Sequence, residues 1–139
     1  MFQVVIVDDE ISEHFLLKKA IANCKAPCET ISIYNGLQFM DFLLKREAYR
    51  GRSERTDLIF LDITMPLLDG IGVLKEMRKH PEFKRIPVYL FSSEADAELR
   101  AVCLELGAFE FVIKPADFTE LCKKITPILA RHCTTSVHK

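Results

Sequence analysis

Residues 58–62 read LIFLD, an uninterrupted apolar run that ends in the carboxylate of Asp62. A strand that is buried on both faces of a sheet has this pattern, because neither face offers polar positions. The run at residues 4–7 (VVIV) has the same character and is followed by Asp8 and Asp9. We therefore predict two neighbouring parallel strands, each of which delivers acidic side chains at its carboxyl end.

Two further apolar runs also end in groups that can contact a phosphate. Residues 88–91 lead into Ser92, and residues 109–113 lead into Lys114. Neighbouring strands lie roughly 4.8 Å apart, so the carboxyl ends of these runs would meet at one edge of a sheet. Carboxylates, a hydroxyl and an ammonium together suit Mg²⁺ and a phosphoryl group.

Between the strand-like runs, apolar residues recur at helical spacing. The first helix is predicted at residues 11–23, where a stripe containing Phe15 and Leu16 competes with one formed by His14, Leu17 and Ile21. A lone helical histidine is usually surface or half-buried filler. Nothing near His14 in the sequence would orient its ring, so we expect no phosphotransfer role for it.

The alternation of strands and helices predicts an α/β fold, a (βα)5 flavodoxin-like doubly wound parallel sheet. A strand at residues 30–34 completes the set, and the flavodoxin-like strand order is 2-1-3-4-5. Ligands bind such sheets where the winding reverses, between strands 1 and 3. Asp8, Asp9 and Asp62 fall at that point.

Several boundaries are predicted from local signals. Ser93 is expected to cap the fourth helix, whose apolar stripe consists of Ala97, Ala101, Leu104 and Ala108 and closes at Gly107. The fifth helix should begin at a capping box formed by Asp117 and Glu120, and Pro127 should kink or stop it. We expect the domain to comprise residues 1–131, with a polar C-terminal tail at 132–139. The charged tract at 45–57 is most simply a solvated loop, with partner docking as the alternative.

Composition limits the classes of function. The chain has 139 residues, with 19 basic and 20 acidic side chains and a net charge of −1, so nothing attracts nucleic acid or an anionic membrane overall. No leader or membrane span is evident, which predicts a cytoplasmic protein. The five cysteines match no common zinc or redox spacing, and we expect reduced thiols.

Four motifs occur in an order and spacing that resemble the receiver domain of two-component response regulators. They are Asp8-Asp9, Asp62 with residues 65–70 (MPLLDG), residues 92–94 (SSE), and Lys114-Pro115. The resemblance covers residues 2 to about 130. Since the chain ends shortly after the fifth helix, the resemblance implies a stand-alone, single-domain receiver.

The resemblance implies that Asp62 accepts a phosphoryl group from a sensor histidine kinase or a histidine phosphotransfer protein. Mg²⁺ would be held by Asp8, Asp9, Asp62 and the backbone carbonyl of Thr64. Such a protein is not an enzyme in the usual sense, because it catalyses only the phosphorylation and dephosphorylation of its own Asp62.

Further roles follow from the same resemblance. Lys114, aimed by a cis peptide bond before Pro115, and Ser92 would contact phosphoryl oxygens, while Thr64 and Glu94 would tune the lifetime of the phosphoryl group. Phe111 occupies the aromatic switch position and would enter the space that Ser92 vacates. The surface of helix 4, strand 5 and helix 5 would then bind a downstream protein or relay phosphate, with phosphorylation-dependent dimerisation as an open alternative.

Three other functions fit the sequence less well. A phosphatase of the haloacid dehalogenase type needs an Asp-x-Asp pair after strand 1, whereas this chain has adjacent aspartates there. An FMN binder needs a hydroxyl- and glycine-rich loop at that place, and two aspartates would repel the FMN phosphate. An interaction module that has lost phosphorylation is disfavoured by the intact acidic, hydroxyl and lysine positions, but it stays open.

Overall fold

The computed structural model describes residues 1–53 and 55–137, with side chains described through Cys133. Strands and helices alternate along these residues in the order β1 (Phe2–Val7), α1 (Ile11–Asn23), β2 (Cys28–Ile33), α2 (Gly36–Leu43), β3 (Leu58–Asp62), α3 (Gly70–Arg78), β4 (Val88–Ser92), α4 (Ala97–Glu105), β5 (Glu110–Ile113) and α5 (Phe118–Val137). The strands form one parallel sheet in the order β2-β1-β3-β4-β5. The predicted doubly wound fold is confirmed.

The two faces of the sheet bury separate cores. Side chains alternate between the faces, so Ile59 and Leu61 point to one side and Leu58 and Phe60 to the other. The first core is covered by α2, α3 and the single buried residue of α4, and the second is covered by α1 and α5. Because every residue of β3 is buried, the carboxylate of Asp62 emerges at the end of a strand that has no solvent-facing side.

Helix α1 uses the second of its two predicted stripes. His14, Leu17 and Ile21 are buried together with Ala20, whereas Phe15 is 62% exposed. The result places a histidine in the interior and a phenylalanine in solvent, against simple hydrophobic ranking. It is explained by hydrogen-bond partners for both ring nitrogens of His14, which are described below.

The predictions for α4 were wrong in two respects. The helix begins at Ala97, and its cap is Asp96, whose Oδ1 accepts a hydrogen bond from the backbone N–H of Leu99 at 3.1 Å. Ser93 therefore does not cap it. Ala97 and Ala101 are exposed, and Cys103 is the buried residue of α4. Alanine is the strongest helix former, so its recurrence here reflects helix propensity rather than packing.

Helix α5 does not stop at Pro127. The capping interaction at its start is present, since Asp117 Oδ1 accepts from the backbone N–H of Glu120 at 2.9 Å, and the helix continues to Val137. Ile125, Leu129 and other side chains before and after the proline are buried. Burial of each of these side chains contributes about 1.5–3 kcal/mol. The sum over several of them outweighs the penalty of about 3 kcal/mol for a proline in a helix interior. Neither α5 nor any other described helix is long and apolar enough to cross a bilayer.

The continuation of α5 crosses residue 131, where the domain was expected to give way to a polar tail. Cys133 is 2% exposed, and Nε2 of His132 lies 2.7 Å from the hydroxyl of Tyr89. The first residues of the expected tail are therefore helical and packed. The boundary at residue 131 stays a prediction, and residues 138–139 lie outside the described residues.

Residues 45–53 of the charged tract predicted at 45–57 are more than a solvated loop. They contain a short 3-10 helix at Glu47–Tyr49, and the Tyr49 ring packs edge-on against Phe42 at 5.3 Å. The guanidinium of Arg52 lies 3.7 Å from the centroid of the Phe42 ring, and its Nε donates to the Phe42 carbonyl. The tract is thus anchored on α2, and a docking role for it stays a prediction.

Candidate functional site

The ends of β1 and β3 bring three carboxylates together. Val7 pairs with Leu61 in the parallel ladder, so the next residues, Asp8 and Asp62, leave adjacent strands side by side. Carboxylate oxygens of Asp8, Asp9 and Asp62 all lie within 4.8 Å of one another. Asp8 and Asp62 are buried, while Asp9 is exposed.

Lys114 reaches this cluster from the end of β5. Its Nζ lies 2.8 Å from Oδ1 of Asp62, 3.5 Å from Oδ2 of Asp8 and 3.9 Å from Oε1 of Glu13. Its backbone N–H donates to the Ser92 carbonyl at 2.7 Å, which fixes the start of the side chain. The prediction of a cis peptide bond before Pro115 was wrong: the bond is trans. The flexible stem of lysine places the ammonium on Asp62 without it.

The electrostatics of the site are dominated by an excess of negative charge. Burial raises the pKa of the Asp62 carboxyl from an ordinary 3.8 to about 6, the hydrogen bond from Lys114 opposes this rise, and Asp8 and Asp9 add to it. Burial acts to lower the pKa of Lys114, but the hydrogen bond to Asp62 and the charges of Asp8, Asp62 and Glu13 outweigh it, so that pKa is raised. One ammonium does not balance the carboxylates around it.

A divalent cation fits this arrangement. Oxygen atoms of carboxylates are the donors that Mg²⁺ and Mn²⁺ take, and three are close enough to share one ion. A bound dication would also remove the repulsion that raises the pKa of Asp62. Thr64 follows Asp62 by two residues and is exposed, at the start of the loop that joins β3 to α3.

That loop is held rigidly against α2. The backbone N–H of Leu68 donates to the Pro66 carbonyl at 2.8 Å, and Leu67 between them has φ of 72°, which is a γ-turn. A Cβ added to Gly36, at the first turn of α2, would lie 2.1 Å from the carbonyl oxygen of Leu68. Only glycine permits this approach, so the sequence of α2 helps to fix the loop that carries Thr64.

Ser92 and Phe111 lie on the same face of the sheet. Leu90 pairs with Phe111 in the ladder, and Ser92 is two residues further along the same face of β4. The Ser92 hydroxyl is buried, accepts from the backbone N–H of Glu94 and donates to its carbonyl, both at 3.1 Å. The side chain of Glu94 is exposed. Phe111 is buried, at 6% exposure, and its entry into the space that Ser92 would vacate stays a prediction.

A cavity of about 200 Å³ adjoins the acidic cluster between α1 and the start of α5. Asp62 and Lys114 line its polar end, and Leu16, Phe91 and Phe118 contribute apolar wall. These apolar surroundings limit the hydration of the Asp62 carboxylate, which accounts for burial being the largest contribution to its raised pKa.

Three contacting side chains were not predicted from the sequence. Glu13 faces Lys114, and His14 joins the backbone of Asp8 to the side chain of Ser32: Nε2 of His14 is 2.7 Å from the Asp8 carbonyl oxygen, and Nδ1 is 2.9 Å from Ser32 Oγ. The one signal in the sequence was the alternative stripe of α1 that contains His14. Its ring is oriented, contrary to the expectation from the sequence.

The comparisons with known proteins agree with this architecture. The model of the response regulator receiver domain family matches residues 4–126. The regulatory protein AtoC of Escherichia coli K12 is 36% identical over 119 residues, which cover 86% of this chain but only 23% of AtoC. The chain therefore spans less than a quarter of the length of that relative.

Two solved structures resemble the chain almost end to end. The phosphorylated cyanobacterial phytochrome response regulator RcpA has a TM-score of 0.88 at 28% identity, with 96% of this chain and 95% of RcpA covered. The Mn²⁺-bound response regulator Rcp1 has a TM-score of 0.84 at 27% identity, with 94% and 93% covered. With its fold, its acidic cluster and the family match in agreement, this chain belongs to the response regulator receiver domain family.

Proposed function

We propose that Asp62 accepts a phosphoryl group from the phosphohistidine of a sensor histidine kinase or a histidine phosphotransfer protein. The observation that carries the proposal is the position of Asp62: a buried carboxylate at the end of β3, 2.8 Å from the Lys114 ammonium and beside two further carboxylates. The phosphorylated state of RcpA, which this chain resembles along its length, supports it.

Mg²⁺ is the proposed cofactor, held by the side chains of Asp8, Asp9 and Asp62 and by the backbone carbonyl of Thr64. The clustering of the three carboxylates and the Mn²⁺-bound state of Rcp1 support a divalent ion at this place. When bound, the cation neutralises negative charge on the carboxylates and on the incoming phosphoryl oxygens, which would otherwise repel each other.

The transfer forms a bond between a carboxylate oxygen of Asp62 and phosphorus. The phosphorus–nitrogen bond of the donor breaks, and its electron pair stays on the imidazole nitrogen. Lys114 exchanges its contact with Asp62 Oδ1 for a phosphoryl oxygen, which keeps its ammonium paired throughout. Hydrolysis later returns the carboxylate, and Thr64 and Glu94, both exposed beside the site, set how readily water reaches the phosphorus.

The signal begins at Ser92. A hydroxyl has one proton, so donating to a phosphoryl oxygen breaks the 3.1 Å bond that Ser92 donates to the Glu94 carbonyl, and the link between β4 and α4 shifts. Phe111, which is buried on the same sheet face, then enters the space that Ser92 vacates. The surface of α4, β5 and α5 then binds a downstream protein, dimerises or relays the phosphoryl group. No direct contact with nucleic acid or membrane is proposed, and the cytoplasm is the proposed location.

Incubation with acetyl phosphate and Mg²⁺, followed by intact-mass measurement, tests the acceptor. Wild type should gain the mass of one phosphoryl group, which hydroxylamine removes because it cleaves acyl phosphates. Asp62→Asn should gain nothing. Asp69→Asn is the matched control: Asp69 caps α3 through a 2.8 Å bond to the backbone N–H of Gly72, asparagine caps equally well, and the adduct should persist.

An adduct on Asp62→Asn would place the acceptor elsewhere and refute the assignment. Absence of any adduct on wild type that binds Mn²⁺ would favour the remaining alternative, an interaction module without phosphorylation. Parallel incubation without divalent cation should also give no adduct, because the three carboxylates would then face the phosphoryl group without a compensating charge.

A further inference from the structure

We propose that His14 is a positioning residue for the cation site: by holding the backbone at Asp8, it fixes the geometry of the Asp8 and Asp9 carboxylates. The inference rests on the proposed function, since it concerns how strongly those carboxylates bind a divalent ion. His14 contacts no substrate or reacting atom.

The direction of the hydrogen bond to Asp8 is fixed by chemistry. A carbonyl oxygen only accepts, so the proton of this bond belongs to Nε2 of His14, 2.7 Å away. In the neutral ring Nδ1 then accepts from the hydroxyl of Ser32 at 2.9 Å. Ser32 lies on β2, opposite Ile6 of β1, so the ring is oriented by the strand next to the one that carries Asp8.

The histidine ring is also enclosed. His14 is 2% exposed, and the ring of Tyr34 packs against it with centroids 4.5 Å apart. Both ring nitrogens are therefore occupied and shielded from solvent, which excludes a role as a phosphoryl acceptor in this conformation. A buried imidazole with hydrogen bonds at both nitrogens instead links the backbone at Asp8 to the side chain of Ser32 and restrains both.

Asp8 is restrained at each of its polar atoms. Its backbone N–H donates to the Ile33 carbonyl at 3.1 Å, its Oδ1 accepts from the backbone N–H of Glu10 at 2.9 Å, and its Oδ2 lies 3.5 Å from the Lys114 ammonium. The carbonyl oxygen is held by His14. That carbonyl belongs to the peptide unit linking Asp8 to Asp9, so its rotation would move the second carboxylate as well.

Removing the donor leaves a buried carbonyl without this partner. An unsatisfied group of this kind costs about 1–3 kcal/mol, which rotation of the peptide unit toward water would relieve. The rotation would separate carboxylate oxygens that now lie within 4.8 Å of one another. Outer-shell hydrogen bonds of metal sites commonly contribute about 10- to 100-fold in affinity, which sets the expected size of the effect.

Two isosteric substitutions separate the contacts of His14. The amide nitrogen of His14→Gln can occupy the position of Nε2 and keep the bond to the Asp8 carbonyl. His14→Asn has an amide at the position of Nδ1, so it can keep the Ser32 contact but loses the Asp8 contact. Mn²⁺ is the probe, with the free ion measured by its electron paramagnetic resonance signal.

We expect His14→Asn to bind Mn²⁺ about 10-fold more weakly than wild type, and His14→Gln to stay close to wild type. Ile21→Val is the matched control, since it removes buried volume from the same helix, two turns away, at a cost of about 1 kcal/mol. The control should keep wild-type Mn²⁺ affinity, which separates positioning from general loss of stability.

Equal Mn²⁺ affinity in wild type and folded His14→Asn would overturn the positioning role while leaving the proposed function intact. A wild type that binds no Mn²⁺ and gains no adduct from acetyl phosphate would overturn both. Should His14→Asn not fold, the wild type itself decides: nitrogen NMR of His14 should show the proton on Nε2, protected from exchange. A proton on Nδ1 alone would refute the proposal.

Discussion

Replacing the proposed acceptor by asparagine should stabilise this protein when no divalent cation is bound. Asp62→Asn keeps the size of the side chain and removes a charge from a residue that is only 7% exposed. The folded-state pKa of about 6, against an ordinary 3.8, corresponds to a cost of about 3 kcal/mol for holding the carboxylate ionised. Screening by water and buffer ions reduces this, so we expect a gain of about 1–2 kcal/mol in the free energy of unfolding.

The pH dependence gives the prediction its sign. A carboxyl whose pKa is raised by folding contributes no penalty below its unfolded pKa, where it is protonated in both states. The penalty grows as pH rises from 3.8 through about 6, because the folded state must give up a proton that it binds more tightly. The advantage of Asp62→Asn should therefore be nearly full above about pH 7, about a third of that at about pH 4.5, and lost below about pH 3.

Urea denaturation followed by far-UV circular dichroism, in chelator, measures the difference at both pH values. Adding Mg²⁺ should stabilise wild type more than the variant, because the ion binds the carboxylates of the folded state. The difference in the free energy of unfolding between the two proteins should therefore become smaller. Asp69→Asn, an exposed carboxylate that caps α3, should show little change under all conditions. A variant less stable than wild type at about pH 8 in chelator, or a gain independent of pH, would refute the reasoning.

Four further predictions concern other positions. Lys114→Met should slow phosphorylation by acetyl phosphate about 100-fold yet keep or tighten Mn²⁺ binding, measured by mass and titration; lost Mn²⁺ binding would contradict this. Gly36→Ala should lower the free energy of unfolding by more than about 2 kcal/mol, because its Cβ would lie 2.1 Å from a backbone oxygen of the loop after β3. Gly51→Ala, with φ of 81° and open space around it, should cost about 1 kcal/mol in the same denaturation assay. Tyr89→Phe should cost about 1 kcal/mol through the lost 2.7 Å hydrogen bond to His132, and an unchanged melting temperature would argue against that bond in solution.

The fold was predictable because the buried strands have a recognisable sequence pattern. Each of the inner strands β1, β3 and β4 is almost continuously buried, which forces an apolar run, and a polar residue stands at or directly after the carboxyl end of each strand. These two signals are local. They located the strands and the polar residues at their ends, whereas the strand order was taken from the flavodoxin-like fold.

The features that were missed depend on contacts between distant segments. His14 is interior only because Ser32 and the Asp8 carbonyl happen to face it, and neither partner is adjacent to it in sequence. Helix α5 passes Pro127 because the buried residues on both sides outweigh the local penalty. In α4, the alanine spacing suggested a buried face, but small side chains are compatible with either face of a helix.

The close approach of Gly36 to the Leu68 carbonyl has a mechanical consequence. The first turn of α2 and the segment after β3 touch backbone to backbone, with no deformable side chain between them. A displacement of that segment toward α2, as when a ligand occupies the neighbouring carboxylates, would have no side chain to compress at the contact and would push on the backbone of α2 directly. The C-terminal end of α2 carries Phe42, on which the Arg52 guanidinium stacks, so a movement of α2 would also shift Arg52 in the charged tract that follows the helix.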